Sequence, residues 1–262
     1  MSLLRALVGI AVLLVLWQTV VLLADLPIFI LPGPGIVAAT LLARGDIIAP
    51  HALATLIEIL AGLALGTLLG VTTALAIDHY RGVRLWLLPL IVISQAIPVF
   101  ALAPILVLWF GYGLASKIVM AALIIFFPVT VAFLDGLRRT EPGWLDLAAT
   151  MTAGAPRARL AILRHVRLPA ALPALASGLR VGAAIAPIGA VIGEWVGSSA
   201  GLGYLMLHAN GRMQVDLMFA ALAVLAVIAV TLYFAIDRLL KRLLPWLPDR
   251  LGDEAVADNA TP

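Results

Sequence analysis

The chain has no cysteine, which excludes a disulfide framework and any thiolate metal site. It is also poor in charge. Only 12% of its 262 residues are Asp, Glu, Lys or Arg, against about 25% in an average soluble domain. The glycine-rich phosphate loop G-x-x-x-x-G-K-[ST] is missing, because neither Lys117 nor Lys241 is followed by Ser or Thr. That route to ATP hydrolysis is therefore closed to the chain on its own. His51 and His79 read as loop residues with no second ligand at metal spacing, so no metal is assigned.

What the chain does have is apolar sequence, 63% of its residues. One soluble core cannot hide that much, so the composition implies an all-α polytopic membrane protein. A membrane-spanning helix needs about 20 apolar residues. Six segments answer to this: 6–24, 53–77, 85–110, 118–134, 172–196 and 217–236. The first exceeds a signal-peptide core of about 7–15 residues and lacks a clean small-x-small cleavage site, so it reads as an uncleaved span.

The cations set the orientation. With the N-terminus inside and six crossings, the inner side receives Arg5, Arg81, Arg84, Arg138, Arg139, Arg157, Arg159, Arg164, Arg167, Arg238, Lys241, Arg242 and Arg250. The outer side receives only Arg44, Lys117 and Arg212, while Arg180 lies within a span. The excess of inner cations places both termini in the cytoplasm. Residues 1–248 read as a single transmembrane domain, and 249–262 as a polar, disordered cytoplasmic tail. Outside, the 25–52 connection carries "LPGPG" and then a short interfacial helix over 36–42.

The inner connection, 135–169, has helical periodicity of its own. Thr140 is placed to cap a helix starting near Pro142. Trp144, Leu147, Ala148 and Met151 then share one face at i, i+3, i+4, i+7. Gly154 suits a left-handed helix end. Leu160, Leu163 and Val166 form a second stripe, which Leu168-Pro169 stops. Two readings of this pair of helices follow from the residues alone. It lies on the membrane, its cations holding anionic lipid, or it docks on a partner protein.

The stretch "DLAATMTAGAPRARLAILRHVRLPAALP", 146–173, resembles the EAA loop of permease subunits in binding-protein-dependent ABC importers. In that pattern E-A-A is followed by three residues, Gly, nine residues, Ile, one residue and Leu-Pro. Asp146 stands for the Glu, Ala148 and Ala149 fall near the alanines, Gly154 matches the Gly, Val166 the Ile, and Leu168-Pro169 the Leu-Pro. Two extra residues precede Gly154, and eleven rather than nine separate it from Val166. "LPGPGIVAATL", "QAIPVFALAPILVLWFGYG" and "VIGEWVGSSAGLGYLM" resemble the nitrate, sulfonate and taurine permease group. "RHVRLPAALPALASGLR" together with "APIGAVIGEW" looks most like permeases for hydroxymethylpyrimidine, a thiamine precursor.

The resemblance implies a type I ABC importer permease in the bacterial inner membrane. It implies a homodimer, a cytoplasmic ATPase dimer that binds ATP and Mg, a periplasmic substrate-binding protein and no cofactor on this chain. Membrane lipid is the remaining partner, and nothing points to nucleic acid. The inner loop would then couple to the ATPase. Trp144, Met151 and Leu160 would fill a hydrophobic groove of the ATPase, Arg157, Arg159 and Arg164 would meet acidic residues at its rim, and Asp146, Ala148 and Gly154 would complete the coupling set as the motif residues.

Candidates for the translocation path are Ser94, Gln95, Pro98, Arg180 and Glu194. Ser94, Gln95 and Pro98 form a polar break in the third span. Gln95 reads either a heterocycle's edge or a neighbouring helix. Arg180 either snorkels inward or faces the path. Glu194 is an interfacial residue beside Trp195 or part of a gate. Glu58 reads as a structural hydrogen-bonding group. "GSSAG", 197–201, fits a serine-hydrolase elbow at Ser199 with His208 nearby, but that elbow needs a strand before it, and a membrane helix stands there instead. An ion-coupled secondary transporter would need paired midplane carboxylates and an inverted repeat, neither of which is evident.

Overall fold

The computed structural model describes residues 3–246, so the expected tail, 249–262, and Arg250 lie outside the described residues. Eleven α-helices follow one another, and no strand occurs among the described residues. They are α1 (Leu3–Leu23), α2 (Pro34–Ala43), α3 (Gly45–His79), α4 (Arg81–Ser94), α5 (Val99–Phe110), α6 (Leu114–Arg138), α7 (Pro142–Met151), α8 (Ala158–Ile162), α9 (Leu168–Gly197), α10 (Leu202–Gly211) and α11 (Val215–Leu243). A π-helical turn, Leu163–Arg167, joins α8 to α9.

Four runs are long and apolar enough to cross a membrane: α3, α6, the continuous 158–197 run and α11. The count is five if α4 and α5 form one broken span. Within α1, Val8–Leu23 forms a shorter apolar helix. Among the described residues four or five of the six expected spans are thus evident by length and composition, with the first present as this shorter apolar helix. The third expected span, 85–110, is interrupted at 95–98, where Pro98 ends the break in extended backbone before α5.

Three expectations need correction. His51 and His79 belong to α3, not to loops, because α3 starts at Gly45 directly after α2 closes at Arg44 and runs on to His79. Thr140 does not cap α7. Glu141 holds that position without a side-chain bond, and the Thr140 hydroxyl donates to the Leu137 carbonyl at 3.3 Å. Leu168-Pro169 does not stop the helix. In the wide turn before it, the Leu168 amide reaches back five residues to the Leu163 carbonyl. That widening makes room for the Pro169 ring, which a regular α-turn would press against the carbonyl four residues earlier.

Residue contacts divide the chain into two compact units. The first comprises Met1–Gly66, Gln95–Ile125 and Ile185–Val230. Its core includes Val37, Ile48, Leu202, Leu205 and Leu217, and Trp17 of α1 packs on Phe219 with ring centres 5.9 Å apart. Ala121 of α6 lies between Gly62 of α3 and Gly189 of α9, with no space for a Cβ at either glycine. Such small residues let helix backbones approach closely, the main packing device available in lipid.

The second unit comprises Thr67–Ser94, Phe126–Ala184 and Thr231–Pro262. It is organised by Ala74, Ile77, Phe133, Leu137 and Ala171, with a separate cluster of Ala176, Leu240 and Leu244.

Candidate functional site

Within the second unit, α7 and α8 form a hairpin. Pro142 at the first position starts α7, where its missing N–H costs nothing. The helix ends at Met151, and Gly154 then takes φ +80°, the left-handed conformation expected of it. Trp144, Leu147 and Met151 stay exposed, by 60, 51 and 78%, while Ala148 is buried beneath them. With Arg139, His165 and Val166 they line an open groove of about 580 Å³.

Leu160, also exposed, belongs to a second cavity of about 660 Å³ with Arg157 and Arg159. Asp146 and Arg164 face solvent. Arg157, Arg159 and Arg164 have no ion-pair partner among the described residues. Three large apolar side chains left uncovered beside three unpaired guanidinium groups form a surface awaiting an apolar, acid-rimmed partner. Every residue expected at the coupling loop thus belongs to this one hairpin and the segment that follows it.

The path candidates are dispersed. Ser94, Gln95 and Pro98 are exposed at the break after α4, and the Ser94 hydroxyl donates back to the Ile91 carbonyl at 2.7 Å. Arg180 is ion-paired. Its Nε donates to Asp237 at 2.7 Å, and Lys241 approaches the same carboxylate at 3.5 Å.

Glu194 lies near the C-terminal end of α9. It is 1% exposed and sits at the centre of a network in the first unit. One carboxylate oxygen accepts from the Thr55 hydroxyl at 2.6 Å and the other from the Gly203 amide. Thr55 accepts from the Leu202 amide at 2.7 Å, and His51 Nδ1 from the Gly201 amide at 2.9 Å. Side chains of α3 and α9 thereby satisfy the free amides at the start of α10.

Beside this network, Lys117 Nζ donates to Glu58 at 2.6 Å and to Ser198 at 2.8 Å. Lys117 is therefore a buried ion-pair partner, and Glu58 binds a charge. Sequence reading missed Thr55, His51 and Ser198. Their only signal is that each is polar within or beside an apolar run. Ser199 is not placed for hydrolysis, because helix α9, not a strand, leads into it.

The geometry agrees with what the chain is similar to. The profile of the family described as "Binding-protein-dependent transport system inner membrane component" matches residues 62–247. A probable ABC transporter permease protein of Haemophilus influenzae is 57% identical over 242 residues, covering 92% of this chain and 97% of that one. The riboflavin transport system permease protein RibX of Chloroflexus aurantiacus is 44% identical over 242 residues, covering 91% and 88%. The formylaminopyrimidine transport permease protein ThiX of Halalkalibacterium halodurans is 41% identical over 158 residues, covering 60% and 62%. Among solved structures, the inward-facing MetNI methionine ABC transporter matches with a TM-score of 0.62 at 20% identity, over 76% of this chain and 97% of that one.

Proposed function

Since the chain belongs to the family of binding-protein-dependent transport system inner membrane components and is an ABC importer permease, we propose that it forms a homodimer, docks on two cytoplasmic ATPase subunits through the α7–α8 hairpin, and imports a thiamine-precursor pyrimidine. A periplasmic binding protein delivers the solute, and both termini face the cytoplasm. ATP and Mg bind the partner subunits. ATP binding there draws the two hairpins together and turns the path from outward to inward.

The observation that carries the docking reading is the uncovered Trp144–Leu147–Met151 face beside unpaired Arg157, Arg159 and Arg164. A neutral heterocycle fits the electrostatics better than a sulfonate or nitrate. Two cations of the spanning helices, Arg180 and Lys117, are already neutralised, Arg180 by Asp237 and Lys117 by Glu58. An anion crossing a low-dielectric path needs fixed donors or cations to replace its water. Two relatives are named for riboflavin and for a formylaminopyrimidine, both nitrogen heterocycles.

The test is growth of a strain that cannot make the thiamine pyrimidine, on limiting external hydroxymethylpyrimidine and with no other importer for it. Growth that requires this permease and its ATPase is the expected result. Equal growth without the permease rejects the pyrimidine. Permease-dependent use of taurine as sulfur source instead would assign the anion class.

A further inference from the structure

The residues of the hairpin explain docking, but not how a push on the hairpin reaches the spanning helices. Arg167 closes the π-helical turn that follows α8. Its two terminal nitrogens donate to the two carboxylate oxygens of Asp78 at 2.8 and 2.7 Å, a forked pair. Nη2 also donates to the Leu137 carbonyl at 2.9 Å. Asp78 is the penultimate residue of α3, and Leu137 the penultimate residue of α6. One guanidinium therefore ties two helix C-termini to the segment that bears the docking cations.

Each contact has an independent physical reason. The Leu137 carbonyl is among the last four of its helix and has no intrahelical donor. Asp78 stands at the negative end of a helix dipole, where a carboxylate is unfavourable without a cation. The planar fork of arginine matches a carboxylate in a fixed orientation, which a lysine cannot do. Leu163 and Leu168 also pack beneath the segment on the Ala74–Ile77–Leu137 cluster, but apolar contact is non-directional and lets surfaces slide. Beside it, Asp78, His79, Arg157 and Arg167 line an open cavity rather than a packed seam. The directional link across this gap is the fork. A π-turn often marks a functional site in a helix, and this one ends on Arg167.

The geometry points to Arg167 as the positioning residue that clips the docking segment to the ends of α3 and α6, so that displacement of the segment by the ATPase moves both helix ends. This rests on the docking reading above. It differs from a merely stabilising ion pair in one respect. Cutting the clip disconnects ATP hydrolysis from solute delivery while the ATPase remains bound.

The test uses the complete complex in proteoliposomes, with its ATPase and binding protein, and Asp78→Asn, Arg167→Gln, Arg167→Lys and the exchange Asp78→Arg with Arg167→Asp. The readouts are ATPase retained on the permease and the ratio of binding-protein-stimulated to basal hydrolysis. The neutral variants are expected to retain the ATPase and lose about tenfold in the ratio. The exchange restores most of it. Arg167→Lys keeps the charge but not the fork, and loses about threefold. It serves as the test where a neutral variant fails to accumulate. A full ratio in the variants, or a ratio that falls only in step with ATPase retention, overturns the clip. No stimulation in the wild-type complex would instead overturn the docking reading itself, and the clip with it.

Discussion

Glu58 and Lys117 show what a buried charge demands of its neighbours. Both side chains are almost wholly removed from solvent, and Nζ lies 2.6 Å from the carboxylate. Removing one partner leaves the other unpaired, which costs about 3–5 kcal/mol, whereas removing both together is close to neutral. Lys117→Met is therefore expected to lower the unfolding midpoint of the detergent-purified protein sharply. Adding Glu58→Gln should recover most of the loss. Scanning fluorimetry of the wild type, both single variants and the double variant closes the cycle. Equal and additive losses would mean that the pair is not coupled. The sequence made each residue visible as a charge at a span end. Their pairing was invisible because the partners are 59 positions apart. The same holds for Glu194, whose buried setting depends on Thr55, 139 positions away.

Elements here are joined by close backbone approach. Gly62 meets Ala121 where a Cβ has no room, whereas at Gly82 of α4 nothing lies within 4 Å. Gly62→Leu is expected to push α3 from α6 and remove most of the monodisperse protein in size-exclusion chromatography, the overpacking cost being at least about 1–3 kcal/mol. Gly82→Ala should leave the profile unchanged. A normal profile for Gly62→Leu would contradict the observed contact.

Much at this scale was legible. The amphipathic period of Trp144, Leu147 and Met151 gave α7, and Gly154 gave its left-handed exit. Ser94, Gln95 and Pro98 marked the break before α5. Pro169 misled, because a proline reads as a stop unless the turn before it widens. That widening is set by packing of residues 163–168, which local sequence does not encode. The start of α3 was placed too late for a related reason: the polar residues Asp46 and His51 obscure the periodicity of its first turns.

For the whole molecule, low charge and apolar excess fixed the membrane class, and the inner-side arginines fixed an expected orientation. One hairpin sets exposed Trp144, Leu147 and Met151 beside the unpaired Arg157 and Arg159, while Lys117 and Arg180 are paired with carboxylates. This arrangement fits the proposed docking of a partner ATPase on the hairpin. The absence of native cysteine allows a direct test of that partnership. A single Met151→Cys, on the most exposed apolar residue of the groove, is labelled in membranes with a thiol-reactive photocrosslinker and irradiated. The account predicts an adduct between this chain and its ATPase subunit, and none from Ala200→Cys in the α9–α10 connection. A complex that still transports but yields no ATPase adduct from Met151→Cys, or yields as much from Ala200→Cys, would contradict it.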